Sequence, residues 1–218
     1  MPDAMRGYDG YLFDLDGTLV DTAPDINAAL NHALHRAGLA PVSEALTRHW
    51  VGHGSKVLVQ QALDHQLQRH DDLEPLLEDF LRYYASHIAD LSRPYPRVID
   101  TLEMLRGRGA KLAVVTNKLT RLSVPLLTAL NLTGLFDSIV CGDTAARPKP
   151  AADPALYACA ALGLSCAETL FVGDSETDVG CARAAGCPVV CVADGYNHGV
   201  APDALGADAI IDSFWDLV

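Results

Sequence analysis

The feature that most constrains the fold is a series of short, continuous apolar runs separated by segments with helical spacing. The runs occupy residues 11–13, 111–115, 138–141, 169–172, 189–192 and 209–211. Strands that are apolar at successive positions are covered on both faces, and intervening helices allow parallel crossovers. We therefore expect an α/β fold, a Rossmann-like parallel sheet with helices on both faces.

One long segment departs from this alternation. Helical signals alone occur at residues 22–38, 43–51, 55–68 and 71–88, with Ser43 and the pair Asp71-Asp72 as predicted caps. Pro94 and Pro96 then mark a linker. We predict an all-helical cap domain at 21–91, inserted into an α/β core domain formed by 1–20 and 92–218.

Composition excludes several classes of function. The chain of 218 residues has a formal net charge of -12 and no basic run, which argues against nucleic-acid binding. No apolar run approaches the ~20 residues of a membrane span, so we expect no membrane partner. An anionic substrate therefore needs local positive charge or a metal ion.

The cysteines and histidines indicate the compartment and argue against zinc. The six cysteines include no CxxC pair, the chain shows no secretory signal, and the eight histidines are scattered. We expect a soluble cytoplasmic protein with buried free thiols, and no zinc site.

Two carboxylates stand one residue apart where the first apolar run ends. Asp14 and Asp16 follow residues 11–13, and Gly17 allows a sharp turn. If the strand geometry continues to Asp16, both side chains lie on the same side and can share a cation or divide nucleophile and acid roles. A plain Asp-Gly turn explains the same residues equally well.

Polar residues also follow later runs. Thr116 and Asn117 come after 111–115, residues 173–178 come after 169–172, and Lys149 lies in the loop between these segments. Ligands of open parallel sheets bind beyond the carboxyl ends of the strands, so we expect these residues to meet at one edge. Taken singly, each has a structural explanation as a helix cap, a turn or a solvated lysine.

Their occurrence in this order favours a phosphoryl-transfer site with Mg²⁺. The ion prefers carboxylate oxygens, which Asp14, Asp16 and Asp174 offer. Thr116 and Lys149 are candidates for binding the transferred phosphoryl group.

These residues resemble the four motifs of the haloacid dehalogenase-like phosphohydrolases: Asp14-Leu15-Asp16-Gly17-Thr18, Thr116-Asn117, Lys149, and Gly173-Asp174-Ser175 through Asp178. The inserted helices resemble the subclass with an α-helical cap. The dehalogenase branch is disfavoured because Asp16 is present.

The resemblance implies residue roles. Asp14 is the nucleophile that forms an aspartyl-phosphate, and Asp16 is the general acid and base. It further implies Mg²⁺ held by Asp14, Asp174 and the backbone carbonyl of Asp16. Implied supporting residues are Ser175 and Asp178 beside the metal, and Thr116, Asn117 and Lys149 at the phosphoryl group.

Within the family the pattern is most similar to bacterial phosphoglycolate phosphatases, above all in Gly195-Tyr196-Asn197-His198-Gly199. The implied activity is hydrolysis of a small organic phosphomonoester, 2-phosphoglycolate, by a monomer or homodimer. Open alternatives are a phosphohexose mutase, a pyrophosphatase or a nucleotidase of the same fold, or a non-catalytic phosphate-binding protein.

The cap supplies candidates for substrate choice. The glycine-flanked segment 51–56 contains His53 and Lys56, and Arg48 precedes it. We expect Arg48, His53 and Lys56 to include the group that recognises a substrate carboxylate. A helix-helix turn with solvated charges is the competing interpretation.

Overall fold

The computed structural model describes residues 7–68 and 73–218. Its strands are β1 (Gly10–Phe13), β2 (Val20–Asp21), β3 (Arg93–Pro94), β4 (Lys111–Val115), β5 (Ser138–Val140), β6 (Thr169–Gly173), β7 (Val189–Val192) and β8 (Ala209–Ile211). Its α-helices are α1 (Ala23–Arg36), α2 (Glu44–Trp50), α3 (Ser55–His65), α4 (Leu73–Ser86), α5 (Val98–Gly107), α6 (Thr120–Ala129), α7 (Asp153–Leu162) and α8 (Glu176–Ala185).

Six of the described strands form one parallel sheet in the order β5-β4-β1-β6-β7-β8. β1 lies between β4 and β6, with Phe13 in register with Val114 and Val172. Phe13 faces the layer that contains α5 and α6, whereas Leu12 faces α7 and α8. This two-residue alternation buries both faces, and the predicted α/β fold with a Rossmann-like parallel sheet is confirmed.

The first four helices pack mainly on one another. α1 contacts α2 and α4, and their shared core includes Leu30, Leu63 and Phe80. Ser43 caps α2 as predicted, since its hydroxyl accepts a hydrogen bond from the Leu46 N–H at 3.3 Å. The predicted cap residues Asp71 and Asp72 lie outside the described residues.

Across 7–68 and 73–218, none of the helices combines the length and the apolar character that crossing a bilayer requires.

A short ribbon lies where the chain leaves the sheet and where it returns. β2 and β3 pair antiparallel, with Val20 opposite Pro94 and Asp21 opposite Arg93. Pro94 and Pro96 predict a linker at 91–96. The ribbon is missed because two-residue strands produce no apolar period and Pro94 argues against a strand interior. The ribbon brings residues 21 and 93 together, and the division at 21–91 stays a prediction.

Asp25 fastens the start of α1 to the returning chain. Its carboxylate is 2% exposed and accepts hydrogen bonds from the N–H of Leu91, the N–H of Ser92 and the Ser92 hydroxyl at 2.6–3.1 Å. Three donors therefore depend on one buried side chain.

We expect Asp25→Ala to lower the free energy of unfolding by about 3 kcal/mol, because buried donors lose their acceptor. Urea denaturation monitored by circular dichroism measures the change. Asp90→Ala, which removes an exposed carboxylate beside the same segment, is the control and should change stability by less than about 0.5 kcal/mol. Equal effects of the two substitutions would contradict the role given to Asp25.

Candidate active site

The predicted residues meet at the carboxyl edge of β1, β4 and β6. Asp14 follows β1 and its N–H donates to the Val172 carbonyl at 3.0 Å. Extended geometry ends at Phe13, so the premise that it continues to Asp16 is wrong. The chain turns at Leu15, whose carbonyl accepts from residues 19 and 20, and Asp14 and Asp16 nevertheless line the same cavity.

Three buried carboxylates form the centre of the site. Oxygens of Asp14, Asp174 and Asp178 lie within 4.8 Å of one another. The Asp16 carboxylate does not belong to this cluster in the described part of the chain. The donor set is all oxygen and negatively charged, which fits Mg²⁺.

Lys149 is the cation inside this cluster. Its Nζ lies 2.7 Å from Oδ1 of Asp14 and 2.7 Å from Oδ1 of Asp178, and it donates to the Val115 carbonyl at 2.9 Å. The side chain is fully enclosed, with 4% of its residue surface exposed. One ammonium therefore faces three carboxylates.

Burial and the excess of carboxylates over ammonium groups shift the pKa values of the residues in this cluster. Burial, opposed by Lys149 and assisted by Asp178, raises the pKa of Asp14 to about 7. Burial, Asp178 and Asp14 also raise the pKa of Asp174 well above its ordinary value. Burial opposes ionisation of Asp178 too, but Lys149 and the hydrogen bonds from Ser175 lower its pKa. Burial disfavours the Lys149 ammonium, yet Asp14 and Asp178 raise its pKa.

The start of α8 holds Asp178 in place. Its Oδ2 accepts from the N–H of Asp174, the N–H of Ser175 and the Ser175 hydroxyl at 2.7–3.2 Å. This is a capping box, in which Ser175 and Asp178 satisfy each other's free backbone donors. Gly173 leaves room for it, because a Cβ there would overlap the Asp178 side chain.

Asn117 positions the loop that carries Lys149. Its Oδ1 accepts from the Lys149 N–H at 2.9 Å, and its Nδ2 donates to the Lys149 carbonyl at 3.1 Å. The same Nδ2 donates to the carbonyl of Gly52 in the segment between α2 and α3, also at 3.1 Å. Asn117 lines the cavity beside Thr116, but its amide is already engaged by protein backbone.

Asp16 is held by a pair of donors, neither of which we predicted as a site residue. Thr22 Oγ1 donates to Asp16 Oδ1 at 2.7 Å, and Lys118 Nζ donates to the same oxygen at 2.8 Å. Lys118 is 8% exposed and also donates to the Tyr84 hydroxyl of α4 at 2.7 Å. The signal available in the sequence was the position of Lys118 immediately after Thr116-Asn117.

Tyr196 connects the carboxylate cluster to the start of α1. Its N–H donates to Asp174 Oδ2, and its hydroxyl donates to Asp21 Oδ1, both at 2.5 Å. The hydroxyl accepts in turn from the N–H groups of Thr22 and Ala23. Gly17, at φ +87°, permits this approach, since a Cβ there would overlap Asp174 and Tyr196.

The three cap candidates lie apart from one another. Arg48 pairs with Asp21 and Glu44 at 2.8 Å and stacks over the Tyr196 ring. Exposed Lys56 pairs with exposed Glu74 at 2.8 Å. His53 is exposed and its ring centroid lies 4.7 Å from that of His198. Neither Arg48, Lys56 nor His53 lines the cavity, which is bordered instead by neighbours of His53.

The cavity lies between the sheet edge and the first four helices. Its volume is about 40 Å³, which holds only a few water molecules at ~10–15 Å³ each. Its lining residues are Asp14, Asp16, Ile26, Val51, Gly52, Gly54, Ser55, Leu58, Phe80, Tyr84, Thr116, Asn117, Lys118 and Leu122. The lining combines carboxylates, a lysine and hydroxyls with apolar side chains.

Comparison with known proteins shows the family. The model of the haloacid dehalogenase-like hydrolases matches residues 11–192, and the chain belongs to that family. The chain is a phosphoric monoester hydrolase.

Named relatives extend over nearly the whole chain. A phosphoglycolate phosphatase of Agrobacterium fabrum is 43% identical over 93% of this chain and 88% of its own. One of Yersinia pestis is 39% identical over 96% and 91%. The crystal structure of a predicted phosphoglycolate phosphatase from Haemophilus somnus superposes with a TM-score of 0.90 at 37% identity, covering 96% of both chains.

The raised pKa of Asp14 predicts a pH-dependent stability. Between its ordinary value of 3.8 and about 7, the folded state binds more protons than the unfolded state, so stability falls as pH rises. We expect the metal-free protein in EDTA to lose up to about 1.4 kcal/mol per pH unit from this group across pH 4–7.

Urea unfolding of wild type and of Asp14→Asn across this pH range measures the slope. The variant cannot titrate at position 14 and should show the smaller slope, whereas Asp9→Asn at an exposed site should keep the wild-type slope. Parallel curves for wild type and Asp14→Asn would show that Asp14 ionises normally.

Proposed function

We propose that the protein is a Mg²⁺-dependent phosphatase that hydrolyses 2-phosphoglycolate to glycolate and phosphate through an aspartyl-phosphate on Asp14. The observation that carries the proposal is the buried cluster of Asp14, Asp174 and Asp178 around one ammonium, opening into a small cavity that contains a second buried lysine. The names of the relatives support the substrate.

Covalent catalysis divides the displacement into two steps. A carboxylate oxygen of Asp14 attacks phosphorus, and the bond from phosphorus to the leaving oxygen breaks as Asp16 delivers a proton to that oxygen. Asp16 then removes a proton from water, whose oxygen attacks the phosphoryl group and releases phosphate from Asp14. Thr22 and Lys118 both donate to Oδ1 of Asp16 and so orient the carboxyl group for this exchange.

The charge count supports a divalent cation. With all three carboxylates ionised, Lys149 leaves two negative charges uncompensated, and burial raises the pKa of Asp14 to about 7. Asp14, Asp174 and the Asp16 carbonyl would hold Mg²⁺, which would supply positive charge that favours the ionised nucleophile and neutralises phosphate oxygens. Ser175 and Asp178 support this site through their backbone contacts.

We assign phosphate binding to residues at the carboxyl end of β4 and in the loop before α7. Thr116 is 3% exposed and lines the cavity, so we assign its hydroxyl to a phosphoryl oxygen. Lys149 neutralises charge that gathers there in the transition state. Asn117 contributes by orienting Lys149 through two hydrogen bonds to its backbone.

We assign the carboxylate of the substrate to Lys118. It is a buried cation that lines the cavity on the side of α4, where its ammonium donates to Asp16 and to Tyr84. Arg48 is less suited to this role because it pairs with Asp21, just before α1, and lies over the Tyr196 ring. Lys56 is less suited because it lies at the surface. His53 remains a second candidate for this role because Gly52 and Gly54 border the cavity.

Asp14→Asn should lower kcat at least about 10³-fold, because the neutral amide cannot attack phosphorus. Steady-state hydrolysis of 2-phosphoglycolate with Mg²⁺ measures the loss, and circular dichroism checks the fold. Acid-quenched enzyme should carry covalent phosphate in the wild type and none in the variant. Asp9→Asn, an exposed carboxylate before the same strand, is the control with unchanged turnover, and comparable activity in Asp14→Asn would refute the nucleophile assignment.

Lys118→Met should lower the ratio of kcat/KM for 2-phosphoglycolate to that for its uncharged amide, 2-phosphoglycolamide, by about 10–100-fold. Loss of the contact with Asp16 affects both substrates and cancels in the ratio, whereas loss of an ionic hydrogen bond of ~1.5–3 kcal/mol affects only the carboxylate. Lys56→Met is the matched control and should leave the ratio unchanged. A ratio lowered by His53→Ala alone would assign the carboxylate to the cap segment.

A substrate panel separates this proposal from its alternatives. Rates with 2-phosphoglycolate, pyrophosphate, a nucleoside monophosphate and glucose 1-phosphate are compared with Mg²⁺ and with EDTA. Preference for pyrophosphate or the nucleotide would identify those activities, and isomerisation without phosphate release would identify a mutase. Absence of turnover with every compound would favour a phosphate-binding protein.

A further inference from the structure

A cluster of three cysteines lies outside the active site. The sulfur atoms of Cys159, Cys166 and Cys187 lie within 4.8 Å of one another. Cys159 and Cys187 are 3% and 2% exposed, and Cys166 is half-buried. The absence of a CxxC pair and the scattered histidines argue against a zinc site in the sequence, but the fold brings these three sulfurs together.

Three different elements supply the thiols. Cys159 lies in α7, Cys166 begins the 3-10 turn Cys166–Glu168 that leads into β6, and Cys187 follows α8 and precedes β7. Both strands begin next to the cluster and end at the catalytic edge. The thiols therefore lie at the opposite edge of the sheet from Asp14 and Asp174.

We propose that Cys159, Cys166 and Cys187 bind one thiophilic d¹⁰ metal ion, Zn²⁺ or Cu⁺, through three thiolates. Metal-sulfur bonds of about 2.3 Å separate the sulfurs by about 3.8–4.0 Å in tetrahedral or trigonal geometry, within the spacing seen here. Sulfur ligands without a carboxylate or imidazole select such soft ions over Mg²⁺.

The surroundings support ion entry. Cys187 borders a surface concavity formed with Ala167, Arg183, Gly186, Pro188 and Asp208, and Cys166 is partly exposed, so an ion reaches the sulfurs from solvent. The Asp208 carboxylate accepts hydrogen bonds from Arg183. Metal binding at the cluster releases the protons of the thiols to solvent.

The test loads reduced, metal-free wild-type protein with Zn²⁺ or Cu⁺ in excess Mg²⁺, which keeps the carboxylate cluster occupied. Metal analysis after desalting should give one ion per chain, and X-ray absorption should show three sulfur neighbours at about 2.3 Å. This measurement needs no substitution. Retention of neither ion, or a shell of oxygen and nitrogen alone, would overturn the proposal.

Single substitutions identify the ligands. Cys159→Ser, Cys166→Ser and Cys187→Ser should each weaken metal binding by at least about tenfold in competition with a chromophoric chelator. Cys141→Ser, at a buried thiol outside the cluster, should bind as the wild type does. Cys166→Ser is decisive because its half-buried site tolerates the change, and wild-type affinity in that variant would overturn the proposed ligand set.

Discussion

The ion contacts of Lys149 are the interaction on which the rest of the active site depends. The ammonium touches Asp14 from β1, Asp178 from α8 and the Val115 carbonyl from β4. Removal of one partner from such a buried group leaves an uncompensated charge, which costs more than the pair contributes. The parallel sheet places these three elements side by side. The buried lysine then stabilises this arrangement, because displacing any one of them would leave its ammonium without a partner.

The fold was predictable because its signal is local. Each sheet strand is a continuous apolar run, and Ser43 marks a helix start by its own chemistry. The ribbon of β2 and β3 was missed because two residues show no period. At the site, Asp14, Asp174 and Lys149 come together as the order of the strands suggested. The hydrogen bond between Lys118 and Tyr84, 34 positions away, could not be predicted from the sequence. A single tyrosine at helical spacing is typical of a core residue and does not indicate a polar partner.

The interpretation of Arg48 illustrates the same limit. An arginine beside a glycine-flanked segment favours a substrate contact, whereas in the fold its guanidinium pairs with Asp21 and lies over the Tyr196 ring. Residues that depend on two long-range partners at once cannot be assigned by spacing. Asn117 is a second example. The sequence predicts it as a site residue but does not predict its three hydrogen bonds to the backbone of Lys149 and Gly52.

Two residues, Asn117 through its side chain and Tyr196 through its N–H and its hydroxyl, link the position of the first four helices to the geometry of the site. Asn117 joins the backbone of Lys149 to Gly52, and Tyr196 joins Asp174 to Asp21. A displacement of these helices that broke the first link would disturb Lys149 at the phosphoryl position. One that broke the second link would disturb Asp174 at the cation position. Placement of the helical segment and alignment of the reacting groups are therefore coupled, which suits an enzyme that must exclude water before phosphoryl transfer.

The two edges of the sheet differ in their ligand chemistry. The carboxyl edge offers hard oxygen ligands and the opposite edge offers three soft sulfurs, joined by the five residues of β6. At about 3.3 Å per residue this strand spans about 17 Å. A cation at the thiols would therefore be out of contact with Asp14. Its effect reaches the active site through the stability of α7, β6 and β7, which hold the carboxylates in register.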